Sequence, residues 1–145
     1  MHAFVLASLL ASNPQAAPHC DIVLTGGDSM MYDQRGATVD AACKTITIRF
    51  THTGTMSVDD MGHNVVIART VDVNAIADDG MIAGLGNGFV KPGDTRVIAH
   101  TAMAGGGKTV ETSFPAEKLK AGDGYSFFCS APGHAMLMIG QLVVK

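Results

Sequence analysis

Residues 44–50 read KTITIRF, so that Ile46, Ile48 and Phe50 alternate with threonine and arginine. An apolar residue at every second position sends one row of side chains into a core and the other into water, as in a half-buried strand. Short runs of similar character, rich in β-branched and aromatic residues, recur at 21–25, 63–68, 95–99, 109–114, 125–129 and 141–144. Turn chemistry separates them: Gly26-Gly27-Asp28, Lys91-Pro92-Gly93-Asp94, Gly105-Gly106-Gly107 and Ala121-Gly122-Asp123-Gly124. This punctuation predicts an all-β Greek-key sandwich or barrel of about seven to eight strands. One insertion departs from it, at 71–85. There Val71 to Ala77 reads as one or two helical turns, which Gly80, Gly84 and Gly86 then break up.

A chain of 145 residues is one domain, large enough to bury a core without relying on cross-links alone. The net charge of −3 and the absence of any Lys/Arg block argue against a nucleic-acid partner. Residues 3–11 (AFVLASLLA) have the length of a signal-peptide apolar region and are too short to span a bilayer. Residues 1–17 are therefore expected to be a signal peptide, although no Lys or Arg precedes the apolar run, and 18–145 the mature domain. No other apolar run approaches that length, so the mature form is not expected to insert into a membrane. Cysteine usage agrees with export. Cys20 and Cys43 each stand just before a strand-like run and form a natural pair, whereas Cys129 sits in a motif of its own. A Cys20–Cys43 disulfide needs an oxidising compartment and would add about 3 kcal/mol in the chain-entropy model. A lipid anchor at Cys20 is disfavoured, because Ala17-Pro18-His19 is not a lipobox.

The chemistry gathers in Cys129-x4-His134-x3-Met138, with His63 standing 66 residues before the cysteine. Two imidazoles and a thiolate in a trigonal set, with a long axial methionine, form the ligand set of a type 1 copper site. Pro132-Gly133 would turn the loop so that His134 faces Cys129. Each residue also has an ordinary reading: His63 as a hydrogen-bonded loop residue, Met138 as core filler, Cys129 with His134 as nucleophile and base. The last is geometrically awkward within one Gly-Pro turn, and no oxyanion-hole motif accompanies it. A Cys-dependent enzyme is thus disfavoured, since four ligands leave no open position for substrate. A copper store or metal-delivery module remains the other class to separate from a redox carrier.

Several blocks together carry a family likeness: Met61-Gly62-His63-Asn64, residues 91–101 (KPGDTRVIAHT), Phe127-Phe128-Cys129, Pro132-Gly133-His134, and the Cys20/Cys43 spacing. From Cys20 to Lys145 the chain resembles the azurins, small blue-copper proteins of the cupredoxin family. The resemblance implies a non-enzymatic one-electron carrier that cycles one copper between Cu(II) and Cu(I). His63, Cys129 and His134 become equatorial ligands, Met138 a weak axial ligand, and the Gly62 carbonyl the opposite axial contact. The N–H groups of Asn64 and Ala131 fall where azurins hydrogen-bond the thiolate, and the Asn64 side chain where it braces the two ligand loops. His134 becomes the exposed-edge ligand, rimmed by a docking patch of Met31, Met56, Met61, Ala131, Pro132, Met136 and Leu137. Implied partners are transient redox proteins, a c-type cytochrome or a copper-containing reductase, met in the periplasm by a monomer.

Some positions depart from the azurin pattern. Ala131 replaces a bulkier, often aromatic residue, which should bring water nearer His134. Asp60 adds a negative charge close to the patch, and the chain has no Trp, with Val65 where some azurins bury an indole. His100 reads as a surface residue at a strand end. His52 matches a position where azurins bury an imidazole, and a redox-linked titration there is a hypothesis that an unchanged pH dependence of the potential in His52→Leu would remove.

Overall fold

The computed structural model describes residues 16–145, so nearly all of the expected signal peptide, 1–17, lies outside the described residues. Eight strands form two sheets: β1 (Asp21–Gly26), β2 (Gly36–Val39), β3 (Thr45–His52), β4 (Val66–Arg69), β5 (Val97–His100), β6 (Thr109–Pro115), β7 (Tyr125–Phe128) and β8 (Ile139–Val144). The smaller sheet runs β1-β3-β6 and the larger β2-β8-β7-β4-β5. The sandwich read from the turn pattern is thus present, with eight strands.

Strand β3 behaves as its alternation requires. Ile46, Ile48 and Phe50 are buried against the facing sheet, while Thr45 and Arg49 are exposed. Each of these buried side chains contributes about 1.5–3 kcal/mol relative to exposure. Tyr32 fills the space between the sheets, its ring centroid 5.9 Å from that of Phe50 and 5.5 Å from that of Phe127.

Strand β1 pairs with β3 in parallel, Asp21 opposite Thr47. Parallel pairing brings the starts of the two strands together, so Cys20 and Cys43, each one or two residues ahead of its strand, are neighbours. They form a disulfide with Cα atoms 5.7 Å apart.

Strand β7 lies at the centre of the larger sheet and is buried at all four residues. Alternation sends Phe127 into the main core and Phe128 to the outer face, where Val66, Ala68, Val73, Ile76 and Val90 cover it. Val66 and Ala68 are its neighbours on β4, Val73 and Ile76 come from a helix laid over the sheet, and Val90 follows that helix. A one-turn helix, α1 (Val58–Met61), precedes the first ligand segment, and α2 (Val73–Ala83) crosses the outer face of β4 and β7.

Two expectations need correction. Helix α2 does not break at Gly80 but runs through it to Ala83, because Gly80 is the contact residue: a Cβ there would collide with the Phe89 carbonyl. The glycine permits close packing instead of ending the helix. Strand β4 starts at Val66 and not at His63; His63 instead makes an isolated bridge to Ala104.

Candidate metal centre

Strand register assembles the site. Val66 of β4 lies opposite Phe128 of β7, and Phe128 lies opposite Ile139 of β8. The residues just beyond these pairs, His63 to Val65, Cys129 and Met138, therefore meet at one end of the sandwich. The Cys129 N–H donates to the Met138 carbonyl at 3.0 Å, extending the β7–β8 ladder by one step. Between them the loop is held by its own backbone: His134 N–H to Ala131 O at 3.0 Å, Leu137 and Met138 N–H to His134 O at 3.0 and 2.7 Å. Gly133 turns the chain with φ of 78°, a left-handed conformation that suits glycine.

Three donor atoms converge here. Cys129 Sγ lies 3.4 Å from His134 Nδ1 and 3.8 Å from His63 Nδ1, and the two Nδ1 atoms are 3.2 Å apart. Among the described residues this is the one grouping of three or more His, Cys, Asp or Glu close enough to share an ion. His63 donates from Nε2 to the Gly27 carbonyl at 2.9 Å, which leaves its Nδ1 lone pair for the site. His52 stacks on the same ring, with centroids 5.0 Å apart and planes at 12°.

Electrostatics favour a soft cation. Burial lowers the basicity of both ligand imidazoles; for His134, burial and then the nearby His63 bring the pKa to about 4, so the ring is neutral at pH 7. Burial pushes the Cys129 thiol up to about 11, against the N–H groups of Asn64 and Ala131, which favour its thiolate. A metal must displace that proton, and sulfur with two imidazole nitrogens suits copper. The residues fit the ion.

Met138 is fully buried, its methyl so close to Gly26 that no Cβ could be added there without a shift. Gly62 is buried and closes α1 by donating to Val58 O at 3.1 Å; a Cβ there would strike Val58. The Asn64 side chain accepts from Ser130 N–H at 2.9 Å and donates to Ser130 Oγ at 2.9 Å and Gly88 O at 3.0 Å. The Tyr32 hydroxyl donates to Asn64 O at 2.6 Å.

The chain matches the family described as copper binding proteins, plastocyanin/azurin family, over residues 18–145. It is similar to the azurin of Alcaligenes faecalis, 49% identical over 123 residues that cover 85% of this chain and 96% of that one. To the azurin of Pseudomonas aeruginosa it is 41% identical over 140 residues, 97% of this chain and 94% of the other. A solved azurin (Az-iso2) from Methylomonas sp. strain J superposes with a TM-score of 0.84 at 42% identity, covering 87% of this chain and 98% of that one. The chain belongs to the plastocyanin/azurin family. His63, Cys129 and His134 are accordingly its type 1 copper site, and the protein is an electron carrier and not an enzyme.

In this plastocyanin/azurin chain most residues of the expected docking patch reach the surface. Met31, Met56, Met136 and Leu137 are exposed, Met136 at 84%, and Pro132 is exposed beside them, while Met61 is half-buried. Ala131 is buried, so it backs the rim without presenting itself on it. His100 is exposed at the end of β5 and His52 is buried. The sequence reading passed over Gly27 and Ser130. Gly27 acts through a carbonyl, which carries no residue-type signal, and Ser130 gave a signal only through its place next to Cys129. The helical insertion is read at 71–85, but not its place beside the metal loop, where Ala77 and Met81 line a cavity of about 440 Å³ with Ala131, Pro132 and Met136.

Proposed function

We propose that the chain is a periplasmic shuttle whose electron enters and leaves through the His134 edge. The observation that carries this reading is differential access: His63, Cys129 and Met138 are fully buried, and His134 alone of these four shows some surface, at 8%. Bound at His63, Cys129 and His134, copper supplies a one-electron couple between Cu(II) and Cu(I). Everything else is the work of the polypeptide. A carrier is fast when its ligands hardly move between oxidation states. The ladder bond Cys129–Met138, the His63–Ala104 bridge and the Asn64–Ser130 pair supply that rigidity.

Met138 and the Gly62 carbonyl would complete the copper's surroundings in this reading. Met138 is the methionine that follows the cysteine and histidine in the ligand loop and is buried, whereas Met136 points away into solvent. The N–H groups of Asn64 and Ala131, placed to bond the Cys129 sulfur, withdraw charge from it and raise the reduction potential.

The carrier serves redox partners, and the rim of Met31, Met56, Met61, Pro132, Met136 and Leu137 is where they dock. A small apolar surface with soft thioethers suits short encounters with more than one partner, a c-type cytochrome or a copper-containing reductase. Export to the periplasm after loss of residues 1–17 agrees with the Cys20–Cys43 disulfide, a bond of oxidising compartments. The mature domain, 18–145, works as a monomer.

The test is a Cu(II) titration of the mature chain followed by visible and EPR spectra. An intense sulfur-to-copper band with small copper hyperfine splitting, lost in Cys129→Ser, is expected. Met136→Lys should keep that band and slow electron exchange. Ordinary tetragonal copper signals, or unchanged exchange in Met136→Lys, would overturn the respective parts. Rapid Cu(I) release with slow exchange would instead mark a metal store.

A further inference from the structure

We infer that Asp28 is a positioning residue for His63, clamping together the two loops that hold the edge and the face of that imidazole. The Gly27 carbonyl, immediately before Asp28, accepts the His63 Nε2–H at 2.9 Å and so grips the edge of the ring. The face is held by the stacked His52 ring, itself fixed at both nitrogens. Gly54 N–H donates to His52 Nδ1 at 3.1 Å, and His52 Nε2 donates to the Met61 carbonyl at 2.8 Å.

Edge and face therefore belong to different segments: Gly27 to the loop after β1, and His52 to the end of β3, where Gly54 of the following loop anchors its ring. The Asp28 carboxylate spans them. It accepts the Thr55 N–H at 2.9 Å and hydroxyl at 3.3 Å on Oδ2, and the Met56 N–H at 3.0 Å on Oδ1. It also lies against Gly54 so closely that any side chain at 54 would overlap it. A backbone bond from Thr53 N–H to Gly26 O, at 2.8 Å, joins the loops one step back toward the strands. Asp28 is the side chain that carries the connection outward to the level of Gly27 and Gly54, where the two grips on His63 are made. The donated bonds favour its ionised form and hold it below the usual carboxylate range.

A side-chain–carbonyl bond fixes which imidazole nitrogen bears the proton and how the ring is turned. Loosening Gly27 relative to His52 would let the ring swivel, and Nδ1 would lose its aim at the site. The inference rests on His63 as a copper ligand, which the blue band of the wild-type protein checks independently.

The experiment follows the His63 Nε2–H in the Cu(I)-loaded mature chain by nitrogen-15 NMR, and Cu(II) affinity alongside. In Asp28→Ala the ring proton should exchange faster with solvent, and copper affinity should fall about tenfold, the usual scale for losing an outer-shell partner. Asp28→Asn keeps one acceptor oxygen and the fold, and should lie between. Asp33→Ala is the matched control, since Asp33 bonds the Thr25 N–H at 2.8 Å near the same loop but touches neither grip. Exchange at His63 that stays at the wild-type rate in both Asp28 variants would overturn the proposal. So would an equal acceleration in Asp33→Ala, which would reduce Asp28 to a general loop stabiliser.

Discussion

Replacing Gly80 by alanine sets two effects of opposite sign against each other. Gly80 is inside helix α2, four residues before its cap, where alanine is intrinsically better than glycine by about 1 kcal/mol. Against this, the new Cβ would lie deep within the van der Waals shell of the Phe89 carbonyl oxygen and close to its carbon. Helix or loop must retreat by more than about 1 Å, and overpacking of this kind costs about 1–3 kcal/mol. The opposing atoms are backbone and cannot rotate aside, which places the cost near the upper end. The net expectation is a loss of about 2 kcal/mol. The loop is also poorly placed to yield, because Phe89 is held at φ of 54° and its N–H is bonded to Gly84 O at 3.0 Å. Gly88, next to it, accepts from Asn64, so the displacement should reach the ligand loop and alter the copper spectrum. Urea denaturation of the copper-free mature chain reads the first effect; with m between about 1 and 3 kcal/mol/M, the midpoint should fall by roughly 1 M. Gly86→Ala is the control, since nothing lies within 4 Å of its Cβ, and it should be neutral or slightly stabilising. A Gly80→Ala protein stabilised by the full helix-propensity increment would refute the packing role of Gly80.

Asn64→Ala should cost about 1–3 kcal/mol, because it leaves the buried Ser130 N–H without its acceptor; a stopped-flow chelator assay should also show faster copper loss. Reduction of Cys20–Cys43, whose partners are 23 residues apart, should remove about 3 kcal/mol without changing the visible band, since the bond precedes β1 and β3 and the site lies past their other ends. Arg96 bonds Asp79 of α2 and Asp94 together, and chiefly by those bonds keeps both carboxyls below their usual range. A depressed carboxylate stabilises the fold above the unfolded pKa, near 3.9, and loses that contribution as pH falls through the folded value. Arg96→Gln should therefore lower stability at pH 7, modestly because the partly exposed network is screened, and the difference from wild type should shrink as pH falls below about 5, which flattens the acid limb. A parallel shift of the whole curve would contradict that.

Legibility in the sequence followed the physical range of each signal. The period-2 pattern of β3 is local and strong, and its three apolar residues are buried as read. Strand β2 passed unnoticed because Gly36-Ala37-Thr38-Val39 is short and edge-placed, and its parallel pairing with β8 is invisible to local pattern. The extent of α2 was missed for a different reason. Gly80 has two uses, ending a helix or admitting a neighbour, and only the position of Phe89 decides between them. At the centre, side chains that carry chemistry were legible as residue types, whereas the carbonyl of Gly27 was not. Nothing in a glycine's identity announces that its oxygen will orient a ligand.

The exposure of a single ligand has a kinetic consequence. On the proposed route through the His134 edge, with His63 and Cys129 sealed, oxidant and reductant would share one point of access and could not be engaged at the same time. They must visit in alternation, and each competes with the other for one landing place. The molecule is thus a ferry and not a wire. Its throughput is limited by how quickly the first visitor departs, and an excess of either partner should slow the overall relay.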